Sequence, residues 1–334
     1  MTDDLDPVEF EDAANRIIAS CADAADIRAR AGLLSEGGLL GILAPEAASG
    51  LDLPLRFAIP VVRAAGAGLL QFPLIESLLL ARAVGASDPA TAGRITEGES
   101  IATIAWSGVG EAGVVGNAPS GTEADLILVF RADGSALLAS CRDVRSVAAQ
   151  AQSWDLTAPA ATIDIGDALD GLVLDPAGVG RLRNDADLLR AAFVHGSSGR
   201  CLSLAVAYAQ EREQFGRPLS GFQALRHKLS RDALITQTIA NSIERALRHN
   251  GDDIELVRRS AWINAAINGP TVAEDAIQVF GGMGFTWDVP LHRHLRQMRA
   301  QSAYGEAAAS LEALGQSLLA DSANPWYEVA RRAS

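Results

Sequence analysis

"EREQFGRPLSGFQALRHKLS", residues 211–230, interrupts a helical pattern and restarts it at once. Before it, the run from Phe193 to Gln210 carries apolar residues on one face. After it, Leu225 and Leu229 resume the period. Taken alone, the stretch is a helix–helix turn in which Gly216 ends one helix and Pro218 keeps it from continuing. A plain turn does not require the charged Arg212-Glu213-Gln214 triplet at the end of the first helix.

Downstream, the helical period that returns at Asp185 persists to about Ala320. Ile235, Ile239, Ile243 and Leu247 form an i, i+4 stripe, which predicts a helix with one face buried in a bundle. Pro270 is expected to kink or interrupt the third helix of that array. Upstream, between Ile101 and Leu174, the texture changes. "IATIAW", "DLILVF", "SALLAS", "AATIDI" and "GLVLD" are short apolar runs separated by Gly, Asp, Ser and Pro, as in a small β domain. The first 96 residues read as helices, with Gly37-Gly38 and Gly85 as stops. The expected organisation is α+β: an N-terminal helical domain (1–98), a middle β domain (99–180), a C-terminal four-helix bundle (181–322) and a tail (323–334).

Bulk properties narrow the function. A net charge of −13 opposes a nucleic-acid partner, whose phosphates would be repelled. Cys21, Cys141 and Cys201 are far apart and form no CxxC, as expected of reduced thiols. The acidic start has no signal-peptide core. The longest charge-free apolar stretch, Ala64 to Ile75, is too short to span a bilayer. A cytoplasmic protein without a membrane or nucleic-acid partner is expected.

"GVGEAG", Gly108 to Gly113, fits G-x-G-x-x-G, but loop chemistry follows it where a dinucleotide fold needs a helix. His292 and His294, two apart, would point to different sides of a helix. No shared metal is expected, and solvated or ion-paired rings are the better reading. No nucleophile elbow occurs. "QVFGGMGF", Gln278 to Phe285, ends a helix with three glycines in four residues. It is a C-cap and tight turn whose glycines also allow a ligand phosphate to approach.

Together the turn at 212–223 and the turn at 278–285 resemble the signatures of the FAD-dependent acyl-CoA dehydrogenase family. "REQFGRPLSGFQ" is similar to R-x-Q-F-G-x-P-x-x-x-F-Q. "QVFGGMGFTWDVPLHRHLRQMRA" resembles the second signature, Q-x-x-G-G-x-G-(F/Y) followed by a Pro and an Arg-containing helix. "LLGILAPE", Leu39 to Glu46, matches the weaker L-x-G-x-x-x-P-E. The α–β–α order is also the family's, so the resemblance covers nearly the whole chain. It implies that Arg212 binds the FAD pyrophosphate, that Gln214, Phe215 and Gln223 serve the adenosine portion, and that Gln278, Gly281 and Gly282 approach the ADP part of a flavin held mainly by a neighbouring subunit. An acyl-CoA thioester substrate and electron-transfer flavoprotein as electron acceptor are implied with it.

The family reaction removes the α-proton of an acyl thioester with a carboxylate base while the β-hydride moves to the flavin. Counted from the second signature, the base position is Gly305, with Glu306 one residue beyond. The alternative base position on the preceding helix is Ala186, flanked by Asp185 and Asp187. The flavin-ring loop T-E-P-x-x-G-S-D should follow Ile101–Trp106, but the chain reads "SGVGEAGVVG". The W-x-(S/T) strand that backs the ring is not recognisable, and Ala307 and Ala309 stand where polar adenine contacts are expected. Some family members, notably those acting on steroid side-chain CoA esters, combine a base-bearing chain with one that supplies only distal FAD contacts. This chain resembles the second kind, in a heterotetramer with a homologous chain. Two other readings remain open: a homo-oligomeric dehydrogenase using Glu306 or Asp187 as a displaced base, and a flavin-free scaffold.

Overall fold

A computed structural model describes residues 6–166 and 169–320. The tail expected at 323–334 lies outside the described residues. The N-terminal part consists of α1 (Pro7–Cys21), α2 (Ile27–Glu36), α3 (Ala58–Ala67), α4 (Leu74–Val84) and α5 (Pro89–Thr96). Aspartates start three of them: Asp6 accepts from the Val8 N–H, Asp26 from Ala29 and Asp88 from Thr91, each satisfying an orphan donor of the first turn.

Seven strands follow: β1 (Ala102–Ala105), β2 (Val114–Ala118), β3 (Leu126–Phe130), β4 (Ala136–Ser140), β5 (Ser146–Ala149), β6 (Ala161–Asp164) and β7 (Leu172–Leu174). They form two sheets, ordered β1-β3-β4-β7 and β2-β6-β5, with β1 and β3 parallel and the other pairs antiparallel. On β3, Ile127 and Val129 pack with Val115 and Ile163 between the sheets, while Leu128 and Phe130 join the helical core. Both faces are buried, so "LILVF" is continuously apolar rather than alternating. The "GVGEAG" glycines lead through a 3-10 turn at Gly110–Ala112 directly into β2, with no helix.

The C-terminal part contains α6 (Pro176–Glu211), the hairpin strands β8 (Glu213–Gln214) and β9 (Arg217–Pro218), α7 (Gln223–Arg248), α8 (Ile254–Phe280), α9 (Leu291–Tyr304) and α10 (Ala307–Ala320). α6 starts well before Asp185, because Asp175 caps it (2.6 Å to the Gly178 N–H) and Pro176 takes the first turn, where its missing N–H costs nothing. The fourth member of the expected bundle is two helices, split at Gly305 and Glu306. Ile239 and Ile243 of the predicted stripe are fully buried, and Ile235 and Leu247 pack at its ends.

Pro270 does not interrupt α8, contrary to the sequence expectation. It removes the N–H that would bond the Ala266 carbonyl; the Ser302 hydroxyl of α9 lies 3.5 Å from that carbonyl but gives its one proton to the Met298 carbonyl of its own helix at 3.0 Å.

Candidate functional site

α6 ends at Glu211, and the Arg212 N–H closes its last turn on the Tyr208 carbonyl at 2.9 Å. The chain then reverses in a two-residue turn whose members, Phe215 (φ 54°) and Gly216 (φ 74°), are both left-handed. Gly216 thus makes the hairpin rather than ending the helix. A non-glycine residue pays a conformational penalty of about 1–2 kcal/mol there. Phe215 is moreover 93% exposed. A strained, solvated aromatic marks a position selected for something other than the stability of the isolated chain.

The Arg212 side chain is exposed and has no hydrogen bond or ion pair among the described residues. Gln214 donates only to the neighbouring Glu213 carbonyl, at 2.8 Å. Gln223 is exposed at the start of α7, beside Phe222, over whose ring Arg217 lies at 4.0 Å. The second turn sits at the same end of the bundle. Tyr208, one helical turn before Arg212, stacks on Phe280 with centroids 4.1 Å apart and planes 14° apart. Gly281 follows Phe280 directly, in a left-handed conformation (φ 64°) that caps α8. Open space surrounds the points where a Cβ would stand at Gly281 and Gly282, and Gln278 is exposed beside them. Met283, Phe285 and Trp287 extend the exposed apolar surface. The structure therefore brings both signature turns to one open end carrying an unpaired guanidinium.

The opposite holds where a base is expected. Gly305 caps α9, and its carbonyl accepts from Trp262 Nε1 at 3.1 Å. A Cβ at Gly305 would lie 2.6 Å from three atoms of the fully buried Trp262 indole. Glu306 is left-handed (φ 47°), exposed, and turns the chain from α9 into α10, where its carbonyl receives the Ser310 N–H. On the other helix, Ala186 is wholly buried and Asp185 is bridged by Arg82 (2.9 Å) and Arg258 (2.6 Å). Asp187 is 1% exposed and ion-paired with Arg259 Nε at 2.8 Å, in a contact without hydrogen-bond alignment. Burial pushes its carboxyl up to about 6 although three arginines pull it down.

Glu76, Trp106 and Arg190, none of them singled out in the sequence, fill the crevice between α4, the end of β1 and α6. Trp106 Nε1 donates to Glu76 Oε1 at 2.8 Å, and the Arg190 guanidinium lies 3.8 Å from the indole centroid. Arg183 covers Phe130 in the same way, at 4.1 Å. Glu76 and Arg190 are both buried; desolvation raises the Glu76 carboxyl and lowers Arg190 to about 10. The remaining cavity, lined by Gln71, Glu76, Ser120, Asp155, Gln297 and Tyr304 among others, measures about 50 Å³. Pockets that bury a metabolite measure roughly 300–1,000 Å³. A single acid inside "LIESLLLARAV" and a single arginine inside "LLRAAFV" were the signals available for this cluster.

His294 is not solvated or ion-paired. It is 1% exposed, with Nδ1 2.9 Å from the Ser197 hydroxyl, and burial lowers its pKa to about 3, so it is a neutral core residue. His292 meets Trp287 edge to face at 4.6 Å. Among the described residues no cluster of three His, Cys, Asp or Glu side chains could hold a metal, and no helix is long and apolar enough to cross a membrane.

Residues 184–310 match the acyl-CoA dehydrogenase C-terminal domain. The chain is 30% identical over 279 residues to acyl-CoA dehydrogenase FadE34 of Mycobacterium tuberculosis, an alignment that takes in 78% of this chain and 38% of that protein; the chain thus spans well under half of that relative's length. In structure it is similar to a chain of the ChsE4–ChsE5 complex of M. tuberculosis, with a TM-score of 0.85 and 23% identity, covering 96% of this chain and 99% of that one. It is also similar to the Tcur3481–Tcur3483 steroid ACAD variant, with a TM-score of 0.81 and 24% identity, covering 93% and 96%. The two signature turns, the domain order and these likenesses agree: the chain belongs to the acyl-CoA dehydrogenase family, a family of FAD-dependent flavoproteins.

Proposed function

We propose that this chain is the partner subunit of a heteromeric, FAD-dependent acyl-CoA dehydrogenase, supplying distal FAD contacts and structure while a homologous chain carries the base. The observation that carries the reading is the filled crevice. Where the family loop for the flavin ring begins, Trp106 is held by Glu76 and Arg190, and the base position is a glycine packed under Trp262. The Arg212 end is open by contrast. Its unpaired guanidinium suits a pyrophosphate, and the space over Gly281 and Gly282 admits an ADP moiety from a neighbouring subunit. FAD, when bound, accepts the hydride from the substrate β-carbon; this chain's part is to hold the far end of the cofactor and to close the assembly around it. The complexes named above give the heteromer its precedent, and a steroid-derived acyl-CoA is the substrate class they favour. The expected electron acceptor is electron-transfer flavoprotein.

Two substitutions test the assignment in the co-expressed complex. Arg212→Ala removes charged hydrogen bonds worth about 1.5–3 kcal/mol each, so FAD retention is expected to weaken about tenfold to a hundredfold. FAD content after dialysis reads this directly, and unchanged retention would detach the turn from the cofactor. Glu306→Gln is expected to leave turnover within a few-fold, because an exposed side chain at a helix junction does not reach a buried α-carbon. Loss of a true base costs about 10²–10⁴. A fall of that size in anaerobic flavin bleaching, with FAD content unchanged, would give this chain its own base.

A further inference from the structure

Where α4 and α6 part, at the amino end of α6, a second and larger cleft opens. It measures about 520 Å³ and is walled by α4 (Leu79, Arg82), α6 (Arg181, Leu182, Asp185) and the start of α8 (Ile254, Arg258). Three guanidiniums and one carboxylate line it, in a chain whose net charge is −13. Asp185 is shared between Arg82 and Arg258, so it neutralises one positive charge and leaves two. Arg181 is exposed at the rim and has no partner among the described residues. Two further polar atoms are buried without partners on the lining side chains, Nε of Arg258 and Oδ1 of Asn184. Unsatisfied buried polar atoms are uncommon and costly, at about 1–3 kcal/mol each, unless something else meets them.

The acidic residues next to the lining point elsewhere or stand in solvent. Asp175 turns its carboxylate to the Gly178 N–H at 2.6 Å, and Asp253 pairs with His249 at 2.5 Å. Glu255 is exposed on the first turn of α8. The amino ends of α6 and α8 border the cleft through Gly178 and Ile254, whose N–H groups are already taken by the Asp175 carboxylate and the Gly251 carbonyl. The two-charge excess of guanidinium over carboxylate in the lining itself suits a dianion better than a single carboxylate, and forked guanidiniums suit phosphoryl oxygens. Leu79, Leu174, Leu182 and Ile254 form an apolar wall beside them for an organic body.

We propose that this cleft binds the phosphoryl group of a phosphorylated small molecule, with Arg181 as the free cation that meets it and Arg82 and Arg258 as the fixed pair beneath. The proposal stands independently of the partner-subunit reading, since it needs neither flavin nor a second chain. Inorganic pyrophosphate is the probe, titrated calorimetrically into the purified protein in low-salt buffer. The Arg212→Ala protein, which lacks the guanidinium assigned to the FAD pyrophosphate, is the parent for these titrations and is expected to bind one equivalent, with affinity falling as salt is added. Arg181→Glu is expected to weaken binding tenfold or more without changing the melting temperature, because Arg181 is exposed and lies outside the Arg82–Asp185–Arg258 triad. Arg226→Glu, an equal charge change on exposed α7, is expected to leave it within twofold. Absence of binding to the Arg212→Ala parent, or equal losses for Arg181→Glu and Arg226→Glu made in it, overturns the proposal.

Discussion

Gly305→Glu lowers the stability of the chain by about 1–3 kcal/mol and creates no base. The position is the one at which the family resemblance places the catalytic carboxylate, so restoring glutamate there looks like a repair. The structure says otherwise. The new Cβ would stand 2.6 Å from Nε1, Cε2 and Cζ2 of Trp262, a rigid indole with no exposed surface. It cannot swing aside without giving up its 3.1 Å hydrogen bond to the Gly305 carbonyl. The local φ of −92° would accept any residue, so the obstacle is space and not backbone strain. Gly305→Ala should show much of the same loss, because the clash begins at Cβ. Chemical denaturation measures the cost, and anaerobic bleaching of the assembled complex measures the chemistry. A Gly305→Glu chain as stable as wild type that also accelerates bleaching would mean the site is merely missing its base.

Arg190→Met is expected to cost about 3–5 kcal/mol, the usual penalty for removing one partner from a buried charge cluster. Arg190 is 2% exposed and lies over Trp106 with Glu76 and Asp187 as its negative neighbours. Methionine fills much of the volume but leaves both carboxyls short of a cation. The pH dependence fixes the sign. Asp187 already titrates at about 6, above its ordinary 3.8. A raised carboxyl contributes stability that is complete below the unfolded pKa and is lost as pH rises through the folded one. Without Arg190 both carboxyls rise further, so the mutant's deficit is larger at pH 8 than at pH 5. Glu76→Gln in the same background should recover part of it. A deficit below about 1 kcal/mol that does not vary with pH would show that the cluster is not an electrostatic unit.

Local signals carried much of this structure into the sequence. The helices of the bundle were legible because the Ile235–Leu247 stripe keeps its period, and the β domain because its strands are short and bounded by turn residues. The signature turns were legible because Gly216 and Gly281 stand where φ is positive, within stretches that resemble the family signatures. Long-range compensation was not legible. Pro270 sits inside α8 without ending it, and Glu76, Trp106 and Arg190 meet from three separate elements. Each looks ordinary in its own segment. The environment of His294 was misjudged for the same reason, since its hydrogen-bonding partner, Ser197, lies far away in the chain.

The central claim is that this chain needs a second, base-bearing chain, and native mass spectrometry of the protein expressed alone and together with a homologous acyl-CoA dehydrogenase from the same genome tests it most directly. Co-expression is expected to give a mixed heterotetramer that retains FAD, whereas the chain alone retains little and assembles poorly, with Phe215, Phe285 and Trp287 left in water. A fully flavinated homotetramer from single expression, bleached by an acyl-CoA, would contradict the account.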